Sequence, residues 1–297
     1  MERAGDPGYP FRVIAPLLQQ ADLALANLEC PLTQATIPIA KRFSFRADPD
    51  MAAELKKAGF TALNLANNHT SDYGRSSVME TKRYLEAEGI LAVGAGENQK
   101  QAAQARYVEV HGIKIALLGF VDMPLEGLMP LAEMPGPAFA SPELVKSAIR
   151  KARRHSDRVV VTVHWGQEYQ SFPSDRQRHL AHLMAAAGAD LIVGHHPHVI
   201  QSVEMIGKTM VFYSVGNLVF DQTRPECSEA LLVQMRMQNR KSVSFHALPL
   251  QIRKAQPAPA FPSEAAETLD RLAKLSSSVG FYPEADGWWS VQPLVPP

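Results

Sequence analysis

The sequence predicts an α/β fold, on three observations. Short β-branched or leucine-rich runs alternate with helical patterns from about Asp22 to Phe220. Those runs are apolar through their length, as expected of strands covered on both faces, and several of the helical patterns end in glycine. A chain of 297 residues can bury a sizeable core, and one α/β unit with a smaller C-terminal appendage is the expected organisation.

In order along the chain, the predicted strands are DLALANLE, FTALNLANNH, KIALLGFVD, RVVVTVHWG, ADLIVGHHPH and TMVFYSVGN. Between them, helices are predicted over Pro49 to Ala58, Arg75 to Glu88, Pro142 to Arg154 and Asp175 to Ala187. Ser141 before Pro142 and Ser174 before Asp175 are start signals, and Gly59, Gly89 and Gly188 are stop signals. Residues Glu229 to Arg253 read as an antiparallel hairpin around Asn239, Arg240 and Lys241 that closes the sheet system. The proline-rich KAQPAPAFP then reads as a semi-rigid linker to a last helix at about Ser263 to Leu275, with an irregular tail through Trp288 and Trp289 to Pro297. The expected boundaries are therefore 1–253 for the main domain and 254–297 for linker, helix and tail.

Composition removes several function classes. Lysine plus arginine and aspartate plus glutamate number 30 each, so no overall field favours nucleic acid or an anionic membrane, and any anionic substrate must be held by local groups. Cys30 and Cys227 are the two cysteines, which excludes a disulfide-dense scaffold and an all-cysteine metal site. No apolar run approaches the roughly 20 residues of a membrane helix, and MERAGDPGYPF lacks the basic-then-apolar order of a signal peptide, so the chain as written is expected to be soluble.

The chemistry gathers at the strand ends. Open α/β sheets bind ligands in the crevice outside the carboxyl ends of their strands, and four predicted strands finish there in metal-type side chains. These are Asn27 and Glu29, then Asn67, Asn68 and His69, then His164, then His195, His196 and His198; a fifth strand ends in Gly216 and Asn217. A lone histidine in such a place is usually structural, but five shared among three ends point to a metal site. Imidazole, carboxylate and amide donors without thiolate suit zinc, manganese or iron. Asp72 can orient His69 or cap the following helix. Arg46 and Lys41 either hold an anionic group or belong to a solvated charged loop. Trp165 and Tyr169 either wall a pocket or pack beside a strand. His179 and His182 are expected on the surface.

NLECPL, NLANNHTSDYG, HWGQEY with Pro173 and Gln177, AGADLIVGHHPHVIQ and FYSVGNLVFDQ resemble, in order and spacing, the motifs of the CapA-type poly-γ-glutamate capsule biosynthesis family. That family is similar to the calcineurin-like metallophosphoesterases, and the resemblance runs from about Tyr9 to Gln222. It implies a four-layer α/β/β/α sandwich with a site for one or two divalent ions, manganese, zinc or iron. It also implies a metal-dependent, phosphoesterase-like hydrolase activity. Glu29, Asn68, His164, His196 and His198 are the implied ligands, with His195 a further candidate and Glu29 standing where aspartate is usual. His69 is the implied general acid with Asp72 beside it. Asn27, Asn67, Arg46 and Asn217 are expected to meet substrate.

The family's usual opening strand, with its Gly-Asp ligand, has no match ahead of GYPFRVIAPLLQQADLALANLE. The expected fold therefore lacks that first N-terminal strand, either through truncation or by dispensing with it. An anionic small molecule or polymer is the expected substrate, with a membrane-bound capsule-synthesis complex as partner and no nucleic acid. Natural members are often membrane-anchored and extracytoplasmic. The alternative reading is a non-catalytic component that binds or exports an anionic polymer, its metal site vestigial.

Overall fold

The computed structural model describes residues 5–125, 132–220, 224–240 and 242–294. Lys241, the Asp221 and Gln222 that end the fifth motif, and the last three residues of the tail lie outside the described residues. The chain divides into two units, residues 1–164 and 165–297.

In the first unit, helix α1 (Ala15–Gln19) leads to β1 (Leu25–Asn27), α2 (Met51–Ala58) to β2 (Ala62–Asn64) and α3 (Arg75–Ala87) to β3 (Leu91–Val93). The three strands form a parallel sheet in the order β1-β2-β3. Parallel pairing requires crossovers, and α2 and α3 supply them. The expected helix ends hold: Gly59 closes α2 in the left-handed region, its N–H reaching Leu55 O and Lys56 O, and Gly89 follows α3 at φ +71°. β4 (Ala95–Gly96) and α4 (Gln99–Ala102) follow, then the antiparallel pair β5 (Arg106–Val110) and β6 (Ile113–Asp122), then β7 (Gly136–Pro137) paired with β4. Helix α5 (Pro142–Arg153) begins at Ser141, whose side chain accepts from Leu144 N. It delivers β8 (Arg158–Trp165), which lies beside β6 in the order β8-β6-β5. Leu63, Leu65, Val78, Leu85, Ile90, Leu117 and Phe120 are core residues here.

In the second unit, α6 (Asp175–Ala187) starts from a capping box, Ser174 with Gln177. It ends at Gly188, φ +113°. β9 (Leu191–His195), β10 (Val203–Ile206) and β11 (Thr209–Phe212) follow in the order β10-β11-β9, the β11–β9 pair parallel. Next come β12 (Glu229–Met237), β13 (Val243–Arg253), β14 (Gln256–Pro259), α7 (Pro262–Leu275), β15 (Val279–Pro283) and β16 (Trp289–Pro293).

The mixed α/β class is as expected, and three details of the C-terminal region are corrected. The hairpin β12–β13 belongs to a five-stranded antiparallel sheet, β12-β13-β16-β15 with β14 also on β13, and meets the segment after β11 through the Gly216–Ala230 bridge and the Leu231 N to Val215 O bond. The proline-rich stretch is strand β14. It pairs with residues Leu250 to Arg253 at the far end of β13, an edge position that tolerates Pro257 and Pro259. The tail is the hairpin β15–β16, in register from Val279↔Pro293 to Pro283↔Trp289.

Candidate functional site

In the first unit the site is built on asparagine amides. Asn27 and Asn64 end β1 and β2 and stand in register across the parallel pair. Asn64 is fully buried and donates to Asn27 Oδ1 at 2.9 Å. Asn67 donates to the same oxygen at 3.3 Å and to Leu28 O at 2.8 Å. The Asn27 amide nitrogen in turn meets Glu29 Oε2 at 3.3 Å and His164 Nδ1 at 3.5 Å. Close approach of backbones makes this possible, since a Cβ at Gly119 would lie 2.1 Å from Asn64 Oδ1 and one at Gly94 2.7 Å from it. Asn64 was not among the sequence candidates. Its only signal was an amide in the middle of an apolar run.

Three donor atoms converge on that platform. His164 Nε2, from a side chain fully buried at the end of β8, is 2.8 Å from Asn68 Oδ1 and 3.6 Å from Glu29 Oε1. Ligand atoms held about 2.0–2.2 Å from one ion lie roughly 3–3.4 Å apart, so both separations from His164 Nε2 are within a few tenths of an ångström of that range. An amide oxygen, a carboxylate and an imidazole are the donors a divalent cation accepts.

Beside the donors, His69 is fixed from several directions. Its Nδ1 is 2.8 Å from Asp72 Oδ2, its N–H donates to Asn67 Oδ1, and its ring packs on Phe45 at 4.3 Å between centroids. Asp72 is fully buried, and its carboxylate also accepts from Phe45 N and Lys41 Nζ, both at 2.6 Å. Helix α3 begins at Gly74 without a side-chain cap, so of the two roles open to Asp72 the structure takes the orienting one. Because a carboxylate only accepts, Nδ1 carries a proton and Nε2 is left for chemistry. Lys41 belongs here and not to a solvated loop. Its side chain is 2% exposed, and Nζ also reaches Asn68 O at 3.1 Å. Arg46 is exposed; it donates to Ala35 O and lies over the Tyr73 ring.

In the second unit His195 ends β9, and the turn after it carries His196 and His198 at φ +99° and +59°. Non-glycine residues avoid this region, so the turn holds both rings against backbone strain. His198 is buried, and its Nδ1 meets Asn217 Oδ1 at 2.8 Å while the Asn217 amide donates to Cys227 O. That partner leaves His198 Nε2 as the donor atom. The His196 and His198 rings lie 6.0 Å apart, and Phe220 packs on His198 at 4.8 Å. Desolvation pushes the His195 imidazole down to about 4, so it is neutral at pH 7. Gly194 is obligatory: a Cβ there would lie 2.0 Å from Tyr213 O, the carbonyl that accepts from Trp165 Nε1. Trp165 is thus core, whereas the Tyr169 ring stands 6.3 Å from the His198 ring and carries the Arg224 guanidinium over it at 4.2 Å.

Residues 2–222 match the bacterial capsule synthesis protein PGA_cap family. The chain belongs to that family. Among PGA_cap relatives, it is 38% identical over 259 residues to the capsule biosynthesis protein CapA of Bacillus anthracis, covering 84% of this chain and 63% of that one. It is 39% identical over 252 residues to the PGA biosynthesis protein CapA of Bacillus subtilis, covering 84% and 66%. The chain thus spans just under two thirds of the length of either relative. Among solved structures, the NAD nucleotidase NadN of Haemophilus influenzae aligns at a TM-score of 0.47 and 12% identity, over 77% of this chain and 49% of that one.

Proposed function

We propose that this PGA_cap chain serves poly-γ-glutamate capsule biosynthesis through a metal-dependent, phosphoesterase-type hydrolase site. The observation that carries the reading is the convergence of Glu29, Asn68 and His164 beside a histidine, His69, whose Nδ1 is committed to a buried carboxylate. The names of the two Bacillus relatives support the pathway, and the donor chemistry supports the metal.

Glu29, Asn68 and His164 are assigned as ligands in the first unit, and His196 and His198 in the second, for one or two divalent ions of manganese, zinc or iron. A bound divalent ion supplies Lewis-acid polarisation of a phosphoryl or carbonyl oxygen and lowers the pKa of its water toward 7. His69 acts as the general acid in its doubly protonated form: Nδ1–H is held by Asp72, Nε2 gives its proton to the leaving oxygen, and Lys41 holds Asp72 in place. The Asn27 amide, whose oxygen accepts from both Asn64 and Asn67, keeps the donor platform from collapsing. An anionic small molecule or polymer is the substrate class, and a membrane-bound capsule-synthesis complex is the partner; among the described residues no helix is long and apolar enough to cross a membrane itself.

The test is hydrolysis of an aryl phosphodiester by the protein reloaded with manganese or zinc. His69→Ala should lower kcat by roughly 100-fold to 10,000-fold while leaving bound metal unchanged. Polymer binding without turnover, indifferent to chelator, would establish the non-catalytic alternative in its place.

A further inference from the structure

The C-terminal sheet carries a second group of reactive side chains, separate in sequence from every motif above. Ser244 and His246 lie two residues apart on β13, and the alternation of a strand puts them on one face. Phe245 and Ala247, the residues interleaved with them, are buried. Across β12, Arg236 stands opposite Ser244 and Gln234 opposite His246; across β16, Ser290 stands opposite His246. This polar face is not explained by the solvent alone, because His246 is 5% exposed while Ser244 is open to solvent.

The hydrogen bonds on this face run in one direction. Ser244 Oγ is 2.8 Å from His246 Nε2, and His246 Nδ1 is 3.1 Å from both carboxylate oxygens of Glu284. Glu284 comes from the β15–β16 turn, where its N–H is tied to Trp288 O. A carboxylate only accepts, so Nδ1 carries the ring proton and Nε2 accepts from the serine hydroxyl. Nucleophile, base and orienting acid are then in the order that activates a serine in acyl transfer. Arg236 fixes the acid: Nη1 is 3.1 Å from Glu284 Oε2, Nε is on Gln234 Oε1, and the guanidinium lies over Trp288. Burial and Arg236 lower the His246 pKa, against the opposing pull of Glu284 and Asp286. The ring is therefore neutral at pH 7 and able to take a proton.

We propose that Ser244, His246 and Glu284 form a second, metal-independent nucleophilic site that accepts acyl groups from activated esters. Ser244 Oγ bonds to the acyl carbon as its proton passes to His246 Nε2. The bond from carbonyl carbon to leaving oxygen breaks, and that oxygen takes the proton from Nε2. Water then attacks the acyl-serine, giving its proton to Nε2, and the serine oxygen leaves with that proton, so a carboxylic acid and the free hydroxyl are regenerated. Ser244 and His246 are the catalytic residues and Glu284 a positioning residue.

The test uses the full chain with a fluorophosphonate probe and with p-nitrophenyl acetate, each with and without chelator. Labelling of one serine per chain is expected, assigned to Ser244 by peptide mass spectrometry, abolished in Ser244→Ala and unchanged by chelator or by His164→Ala. His246→Gln should slow labelling at least 100-fold. The rate should rise with pH through a midpoint below the ordinary histidine value of about 6.5. Glu284→Gln tests the relay without disturbing a buried group: removing its negative charge should slow labelling and move the midpoint to lower pH. Absence of label on Ser244, label on a different serine, or a Glu284→Gln variant with wild-type rate and midpoint would overturn the proposal.

Discussion

Lys41 brings an ammonium group to a place where its side chain is 2% exposed, and the opposing Asp72 is fully buried. Removing one member of such a pair leaves the other charge desolvated, which costs about 3–5 kcal/mol. Lys41→Met should therefore lose that much stability in urea titration, and Lys41→Met with Asp72→Asn should lose less than Lys41→Met alone. The strained His196 gives a second expectation at this scale. At φ +99° glycine rests without penalty, so His196→Gly should be more stable than His196→Ala by about 1 kcal/mol, read from the shift in denaturation midpoint. Metal-type residues at strand ends were legible in the sequence because each ended an apolar run. The pairing of Lys41 with Asp72 and the part played by Asn64 were not, for opposite reasons. The partners of Lys41 lie 27 to 31 residues further on, and a charged loop looks the same whether or not it folds back. Asn64 sits inside a buried run, where nothing local distinguishes a structural amide from an accident of composition.

At the scale of elements, the helix boundaries were written in caps. Ser141 and Ser174 open their helices through side-chain caps, and Gly59 and Gly188 close theirs at left-handed φ. Ser174 does more than cap α6. Its partner Gln177 is buried and donates to Gln201 Oε1, whose amide donates to Gln170 O and Phe172 O, so the cap also ties down the loop after HWG. Ser174→Ala should cost about 1 kcal/mol. Gly119→Ala should cost about 1–3 kcal/mol by overpacking, and it should also disturb the Asn64–Asn27 bond, visible as loss of metal affinity beyond the loss of stability. The C-terminal strands were missed because proline reads as linker unless the strand's neighbours are known. β14 pairs with β13 across only Lys254 and Ala255, but its prolines mask it, while the short β15 and β16 are defined by pairing with each other and, for β16, with the distant β13.

At the scale of the whole molecule, membership of the PGA_cap family over residues 2–222 and a donor set suited to divalent ions point to the same metal-dependent role. Both units carry candidate ligands, so metal loading should stabilise the folded chain by RT ln(1 + [L]/Kd), rising with the logarithm of ion concentration above Kd. Thermal midpoints measured across a manganese or zinc series should rise, and should rise less in His198→Ala, where the imidazole held by Asn217 is gone. The most direct test of the central claim is the metal content per chain, by mass spectrometry of protein purified without chelator, for the wild type and for His164→Ala. About one or two equivalents of manganese, zinc or iron are expected in the wild type, with a marked loss in the variant. A wild-type chain that holds no metal even after incubation with these ions would contradict the central claim.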